Sequence, residues 1–379
     1  MTLSFPKTLF ALSLSALLIG CSCSKLEGGE GEEGGSPSLQ TLAADPASIE
    51  TVPAAGGDYA FVIKADDVWR ATASASWLRA DPSQGFKGET SLTLKVDPNP
   101  SEAPREALLT LSMGDSSVEI PVSQEGEKIP SFVPEGYTLV FSEEFDAPLQ
   151  SGGRTPLPDA SKWSFETGGG GWGNNELQEY VPGFLGSDTT TVIRDGVLTI
   201  RVLEREGKVL SARMNTKEEW LYGYFEARLL LPSGKGTWPA FWMMPRDFKS
   251  WPLDGEIDIM EHVGYDPGVV HFSIHTESYN HVDGTQKTAT KAVPDFDKAY
   301  HIYALEWTPE LIRGFIDGEE YFTFANDKRG DKNTWPFDKP FYLKLNLAWG
   351  GNWGGQKGID PSALPAEYKA DYVRVYQKK

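Results

Sequence analysis

The chain has almost no cysteine: of its 379 residues only Cys21 and Cys23 carry a thiol. Everything after residue 23 must therefore fold without disulfides or thiolate-bound metals. Histidine is scarce too, with five residues, all between His262 and His301, and no HExxH pair or Cys/His zinc spacing occurs. Bases are outnumbered, 35 Lys and Arg against 54 Asp and Glu, for a net charge of −19. A surface of that sign is unsuited to nucleic acid, whose phosphates need a basic patch. It also argues against a sulfated polysaccharide, whereas a neutral polymer is compatible with it. No apolar run approaches the roughly 20 residues that a membrane-spanning helix needs. Amphipathic helical periodicity is nearly missing as well.

What is there divides into segments. Leu9 to Ile19 is apolar apart from two serines and follows Lys7, the dimensions of a secretion signal. The run Leu18-Ile19-Gly20-Cys21 resembles a bacterial lipobox, which implies that residues 1–20 are a lipoprotein signal peptide and that Cys21 is lipidated. Residues 21–38 set Glu27, Glu30, Glu32 and Glu33 among glycines and cannot bury a core, so they read as a flexible tether. An acidic stretch after such a cysteine resembles the surface-export signal of Bacteroidetes lipoproteins. The expectation is an outer-membrane lipoprotein displayed on the cell surface and touching the membrane only through its lipid.

From residue 39 to 126, bursts of alternating apolar and polar residues are separated by Gly, Pro and Asn. Examples are Tyr59, Phe61, Ile63 and Leu109, Leu111, Met113. Period-two alternation means antiparallel strands, and their number in so short a span predicts a small immunoglobulin-like β-sandwich. The order Trp69, Ser76-Trp77-Leu78, Gly85, Gly88, Asn99, Arg105 and Ser123-Gln124-Glu125-Gly126 resembles the BACON domain. Trp69 and Trp77 are expected in its core, which favours a spacer over a sugar platform. Residues 127–134, with Pro130 and Pro134, read as a linker.

Residues 135–379 alternate in the same way over longer strands, and two antiparallel sheets packed as a jelly roll fit best. The fold class is therefore all-β. Ten of the twelve tryptophans lie here, a share that a core does not require but that a cleft stacking sugar rings does. The central motif runs DGEIDIMEHVG, Asp254 to Gly264. On a strand, Glu256 and Asp258 face one way and Ile257 and Ile259 the other. Glu261 falls out of phase unless one extra residue, a β-bulge near Met260, restores it. Three carboxylates then share one face, where they repel and raise at least one pKa. Retaining glycosidases need such a set: one carboxylate attacks the anomeric carbon while a protonated one supplies the leaving oxygen with a proton.

This ExDxxE motif, following GKGTWPAFWMM (234–244), resembles glycoside hydrolase family 16, in particular its laminarinases. The likeness extends over WGNNELQ (172–178), YGYFEARLLLP (222–232), LNLAWGGNWGG (345–355) and DYVRVYQ (371–377). It implies Glu256 as nucleophile, Glu261 as general acid/base and Asp258 as their assistant. Trp242 matches the family's tryptophan near the cleavage point, and Trp238 lies on the same strand. His275 shares a face with His271 and Ser273 and matches a histidine beside the reacting sugar. Arg213 and Asn175 match positions that grip hydroxyls. Asn346 alternates with Leu345 and Leu347 and so should point into the cleft. Trp349 and Trp353, in a Gly-rich loop, are expected to bind substrate as well; the family more often has a smaller apolar residue at the Trp349 position. The resemblance further implies a structural calcium held by Asp371, the Gly196 carbonyl and Glu144, whose oxygens suit that ion, and no cofactor for catalysis. The expected substrate is a β-1,3-glucan, with mixed β-1,3/1,4-glucan beside it, and the expected state a monomer. A galactan hydrolase of the same fold and a non-catalytic surface glycan-binding protein are the alternatives.

Overall fold

Side-chain alternation sorts the chain into two sandwiches. In Gly57–Ala65, residues Phe61, Ile63 and Ala65 are buried while Ala60 and Lys64 face water, and Ala107, Leu109, Leu111 and Met113 repeat the pattern in Arg105–Met113. Each such strand has one apolar face to hide, and two sheets closing on each other hide it. The computed structural model describes residues 41–148, 150, 154–183 and 189–379. The expected signal peptide, Cys21 and the tether lie outside the described residues.

The first sandwich pairs two four-stranded sheets. One is ordered Leu42–Asp45, Gly57–Ala65, Gly88–Val96, Leu78–Asp81, and the other Gln84–Gly85, Trp69–Ala73, Arg105–Met113, Ser116–Gln124. Trp69 and Trp77 are both buried in its core, where an indole contributes more apolar area than any other side chain. Neither presents a ring to solvent for a sugar.

The second sandwich sets a seven-stranded sheet against a ten-stranded one. The seven strands lie in the order Trp163–Glu166, Arg213–Thr216, Phe341–Trp349, Thr237–Pro245, Glu256–His262, Val269–His275, Lys287–Ala292. At the middle of the ten-stranded sheet, the long Ala366–Lys378 strand pairs with Gly223–Leu230 and Val197–Arg205. Met243, Ile257, Leu343, Leu345 and Leu347 from the first sheet pack against Ala227, Leu229, Leu305, Val373 and Val375 from the second. The architecture is the all-β jelly roll expected. Among the described residues no helix is long and apolar enough to cross a membrane.

One expected cleft residue belongs to this core instead. Trp349 is 1% exposed and joins the main apolar cluster. The strand does not end before the Gly-rich loop but runs through Trp349, so period two puts the indole on the face of Leu343, Leu345 and Leu347. Its ring fills the space beside Gly236, where a Cβ would lie 3.0 Å from the ring carbons and where φ is +111°. Gly236 is thus needed twice, for its backbone conformation and for the approach of the indole. Trp349→Ala should cost about 3–5 kcal/mol in denaturant unfolding, as large core deletions do. A variant that kept its stability but lost affinity for substrate would return Trp349 to the cleft.

Candidate active site

The site begins with a packing conflict on the Glu256–His262 strand. Ile257, Ile259 and Met260 are all buried in the main core, although Ile259 and Met260 are neighbours and a regular pleat would turn them to opposite faces. The strand resolves this with a bulge. Trp242 pairs with Asp258 and Phe241 with Met260, so that Ile259 has no partner on that side, and register also shifts between Asp258 and Glu261 on the other. The extra residue increases the local bend and resets the phase. Glu256, Asp258 and Glu261 consequently emerge on the same outer face, with Glu256 opposite His275, Asp258 opposite Ser273 and Glu261 opposite His271 on the next strand.

Burial decides the electrostatics of these three groups. It pushes the Glu256 carboxyl up, the Asp258 charge pushes it further, and His275, Arg213 and Lys344 pull it down. Asp258 is raised by burial and is in hydrogen-bond contact with Glu256. Glu261 is raised well above the usual carboxylate range, by burial first and then by Asp258, although Trp238 Nε1 donates to its Oε1 at 3.0 Å. Three carboxylates set this close, with Asp258 buried and both glutamates half-buried, do not all ionise together. His275 Nε2 lies 3.3 Å from Asp258 Oδ2. Glu256, Asp258 and His275 bring ligand atoms within 4.8 Å of one another, a spacing that would admit a metal ion.

Aromatic walls flank the acids. Trp238 and Trp353 meet edge to face at 5.5 Å, and His271 meets Trp353 at 4.9 Å. Trp242 donates its Nε1–H to Asn346 Oδ1 at 2.7 Å, while Asn346 Nδ2 donates to the Tyr180 hydroxyl at 3.2 Å. Arg213 lies 4.8 Å from the Trp172 ring and 4.9 Å from the Trp242 ring, in ion-pair contact with Glu166 at 2.5 Å. Asn175, with φ +54°, donates to Asn352 Oδ1 at 2.8 Å at the lip of a shallow groove that also holds Leu177 and Ile359. The structure thus gathers Glu256, Asp258, Glu261, Trp238, Trp242, His275, Arg213, Asn346 and Trp353 about one cleft, with Asn175 toward its rim.

Several participants escaped the sequence reading. Lys344 is the least expected: a lysine whose side chain is 1% exposed, held by Glu166 at 2.9 Å and Asn215 at 2.8 Å, with its ammonium 4.9 Å from the Trp242 ring. Burial, then Arg213, lower its pKa to about 7. The alternation that placed Asn346 on the cleft face places Lys344 there too, so its signal was present. Trp251 and His281 crowd His275 at 5.7 and 5.2 Å. They arrive on loops whose path no periodicity announces.

The expected calcium ligands are brought to the far sheet but each acid already has a cation. Asp371 Oδ2 accepts from Arg228 Nη1 at 3.0 Å, and both Glu144 oxygens accept from Arg374 at 2.8 Å. Gly196 stands in a nearby turn at φ +77°. As arranged, these residues do not fit a calcium ion, because a guanidinium already meets each of the two carboxylates.

With this geometry in hand, comparison with known proteins gives a clear result. The model of the glycosyl hydrolases family 16 matches residues 184–374, and that of BACON, a putative binding domain, matches residues 67–125. A beta-glucanase from Rhodothermus marinus is 48% identical over 254 residues, covering 64% of this chain and 85% of that protein. The chain belongs to glycosyl hydrolase family 16. Solved relatives share the fold. The laminarinase structure from Rhodothermus marinus superimposes with a TM-score of 0.59 at 47% identity, covering 64% of this chain and 97% of that one. SCLam, a non-specific endo-beta-1,3(4)-glucanase, gives 0.60 at 41% identity, with 66% and 95% covered. The chain is thus a family-16 glycoside hydrolase that carries a BACON domain before its catalytic sandwich.

The carboxylate cluster carries a stability cost that can be measured. The folded pKa of Asp258 is raised above its ordinary 3.8. Its contribution to stability is therefore complete at acid pH and is lost as pH climbs from that value through the raised one. Asp258→Asn removes the titration. The variant should melt about 2–6 °C above the parent near pH 8 and show a shrinking gain toward pH 4, while its turnover falls. Equal melting of both proteins at alkaline pH would mean that the acids do not destabilise one another.

Proposed function

We propose that this family-16 enzyme is a retaining endo-β-1,3-glucanase that also accepts mixed β-1,3/1,4-glucan. Glu256 is its nucleophile, Glu261 its general acid/base and Asp258 the group that tunes them. The observation that carries this reading is the bulge that sets Glu256 and Glu261 on one face of the cleft with Asp258 between them. Glu261, raised well above the usual carboxylate range by burial, is the group that holds the proton. Burial and the Asp258 charge raise Glu256 to about 8, and attack uses its ionised form, which the pull of His275, Arg213 and Lys344 favours.

The reaction follows from those charges. The Glu256 carboxylate attacks the anomeric carbon while Glu261 delivers its proton to the departing glycosidic oxygen, so that the leaving half of the polymer departs as an alcohol. The ester formed with Glu256 is then hydrolysed by water, whose proton goes back to Glu261. Two inversions retain the anomeric configuration. Trp238, through its bond to Glu261, fixes the acid's aim. Trp242 and Trp353 offer ring faces to sugar C–H groups, and Arg213, Asn175, Asn346 and His275 supply hydroxyl partners. The glucan assignment draws on the relatives, which are a beta-glucanase, a laminarinase and an endo-beta-1,3(4)-glucanase. The galactan hydrolase and the non-catalytic binding protein have less support, since both carboxylates stand in place. Anchoring at the outer membrane through Cys21, with display on the cell surface and action as a monomer, completes the proposal.

Product analysis on laminarin, barley β-glucan and agarose tests the substrate. Oligosaccharides are expected from the first two and none from agarose, and reducing ends from agarose alone would reject the assignment. Glu256→Gln should abolish turnover and leave laminarin binding largely intact. More than a trace of residual activity in that variant would remove Glu256 from the nucleophile's role.

A further inference from the structure

The segment between the two sandwiches is not free. Glu127 accepts from Arg228 Nη2 at 2.6 Å, and Phe132 packs so closely on the Gly318 turn that a Cβ there would lie 2.3 Å from its ring. The first domain's loop between Gly88–Val96 and Arg105–Met113 meets the same sheet, with Ser76 from another loop beside it. Arg228 Nη1 donates to the Pro100 carbonyl at 2.7 Å, Arg374 Nη2 to Glu102 at 2.7 Å, and Ser76 to Asp195 at 3.2 Å. Ser101 comes within 3.5 Å of where a Gly196 side chain would begin.

That loop is stiff. The buried Asn99 amide donates to the carbonyls of Ala103 and Glu125, and Glu127 N donates to the Ser101 carbonyl. Arg228 itself is only 6% exposed and has three acceptors, two of them from outside the catalytic sandwich. Two of the three acceptors of this guanidinium are present only while the first domain and the linker stay docked.

We infer that the first domain is clamped onto the ten-stranded sheet by Arg228 and Arg374. We further infer that this clamp stands where a structural calcium was expected, so that the catalytic sandwich depends for its stability on the docked domain and not on the ion. Arg228 neutralises Asp371 and Arg374 neutralises Glu144, and each uses its remaining N–H groups to hold the first domain: Pro100 and Glu127 in one case, Glu102 in the other. The clamp lies on the sheet that faces away from the cleft. It fixes the first domain's direction without adding to the subsites.

The test uses the full chain with Glu102→Arg and Glu127→Arg together, two half-exposed positions that put like charge beside each arginine. Small-angle scattering of the parent should give the dimensions of the docked pair, and the double variant should be longer. Its melting should fall by about 3–6 °C, the shift expected for a loss of 1–2 kcal/mol in a domain of this size, with kcat on laminarin unchanged. The milder Glu102→Gln and Glu127→Gln pair should move the same way by less. Millimolar calcium or a chelator should leave the melting of the parent where it is. Identical scattering and melting for parent and charge-reversed variant would overturn the clamp, and a rise of several degrees on adding calcium would overturn its replacement of the ion.

Discussion

One packing constraint organises the cleft: Ile259 and Met260 must both enter the core although they are adjacent. A pleated strand cannot point neighbours the same way, so the backbone takes up an extra residue there and the register on both flanking strands slips. Everything polar follows from that slip. Without it Glu261 would share the face of Ile257, among Phe241, Met243 and Leu345, where no partner exists for a carboxyl group. With it the acid stands beyond Asp258 on the open face, within reach of the Trp238 indole. The hydrophobic demand of two side chains, worth about 1.5–3 kcal/mol each on burial, thus holds the proposed acid/base in place.

The same sheet has to tolerate what the bulge assembles. Three clustered acids are offset by cations that lie further along the sheet rather than beside them in the chain: Arg213 and Lys344, three and two strands away, both pull on Glu256. Those cations are restrained in turn by Glu166, which contacts both, and by the faces of Trp172 and Trp242. Trp242 stands between Lys344 and Asp258 in the cross-strand row, so its ring is the partition between the cationic and acidic halves of the cleft. Its bond to Asn346 sets the orientation of that partition.

Much of this was legible because period two is a strong signal where strands are long and half buried. Phe61 and Ile63, and Leu109, Leu111 and Met113, are buried where alternation puts them, and the bulge followed from the spacing of Glu256, Asp258 and Glu261 alone. The signal weakens in two situations. Short or polar strands such as Trp163–Glu166 and Lys287–Ala292 carry no apolar rhythm, so Glu166 could not be placed. Strand ends that run into glycine hide their parity: Trp349 looked like a loop residue because Gly350 and Gly351 follow it, yet it continues the row of Leu345 and Leu347. The pairing of Asp371 with Arg228 was out of reach for a third reason. It joins residues far apart in the chain, and a carboxylate's partner, cation or metal, is not written in its neighbours.

An acidic chain must neutralise the carboxylates that it buries, and the two sheets of the catalytic sandwich do so by different means. On the far sheet Asp371 and Glu144 meet arginines. A guanidinium does not give up its proton in a protein, so those charges are permanent and suit a joint that must hold its geometry at any pH. In the cleft burial favours the protonated forms of Glu261 and Asp258, beside the distant pull of Arg213 and Lys344. A proton is the one counter-charge that can be handed to a leaving group and recovered from water. Replacing it there by a fixed cation would make the sheet more stable and chemically inert. The distribution of arginine and proton between the two faces therefore separates the surface that binds the first domain from the surface that reacts.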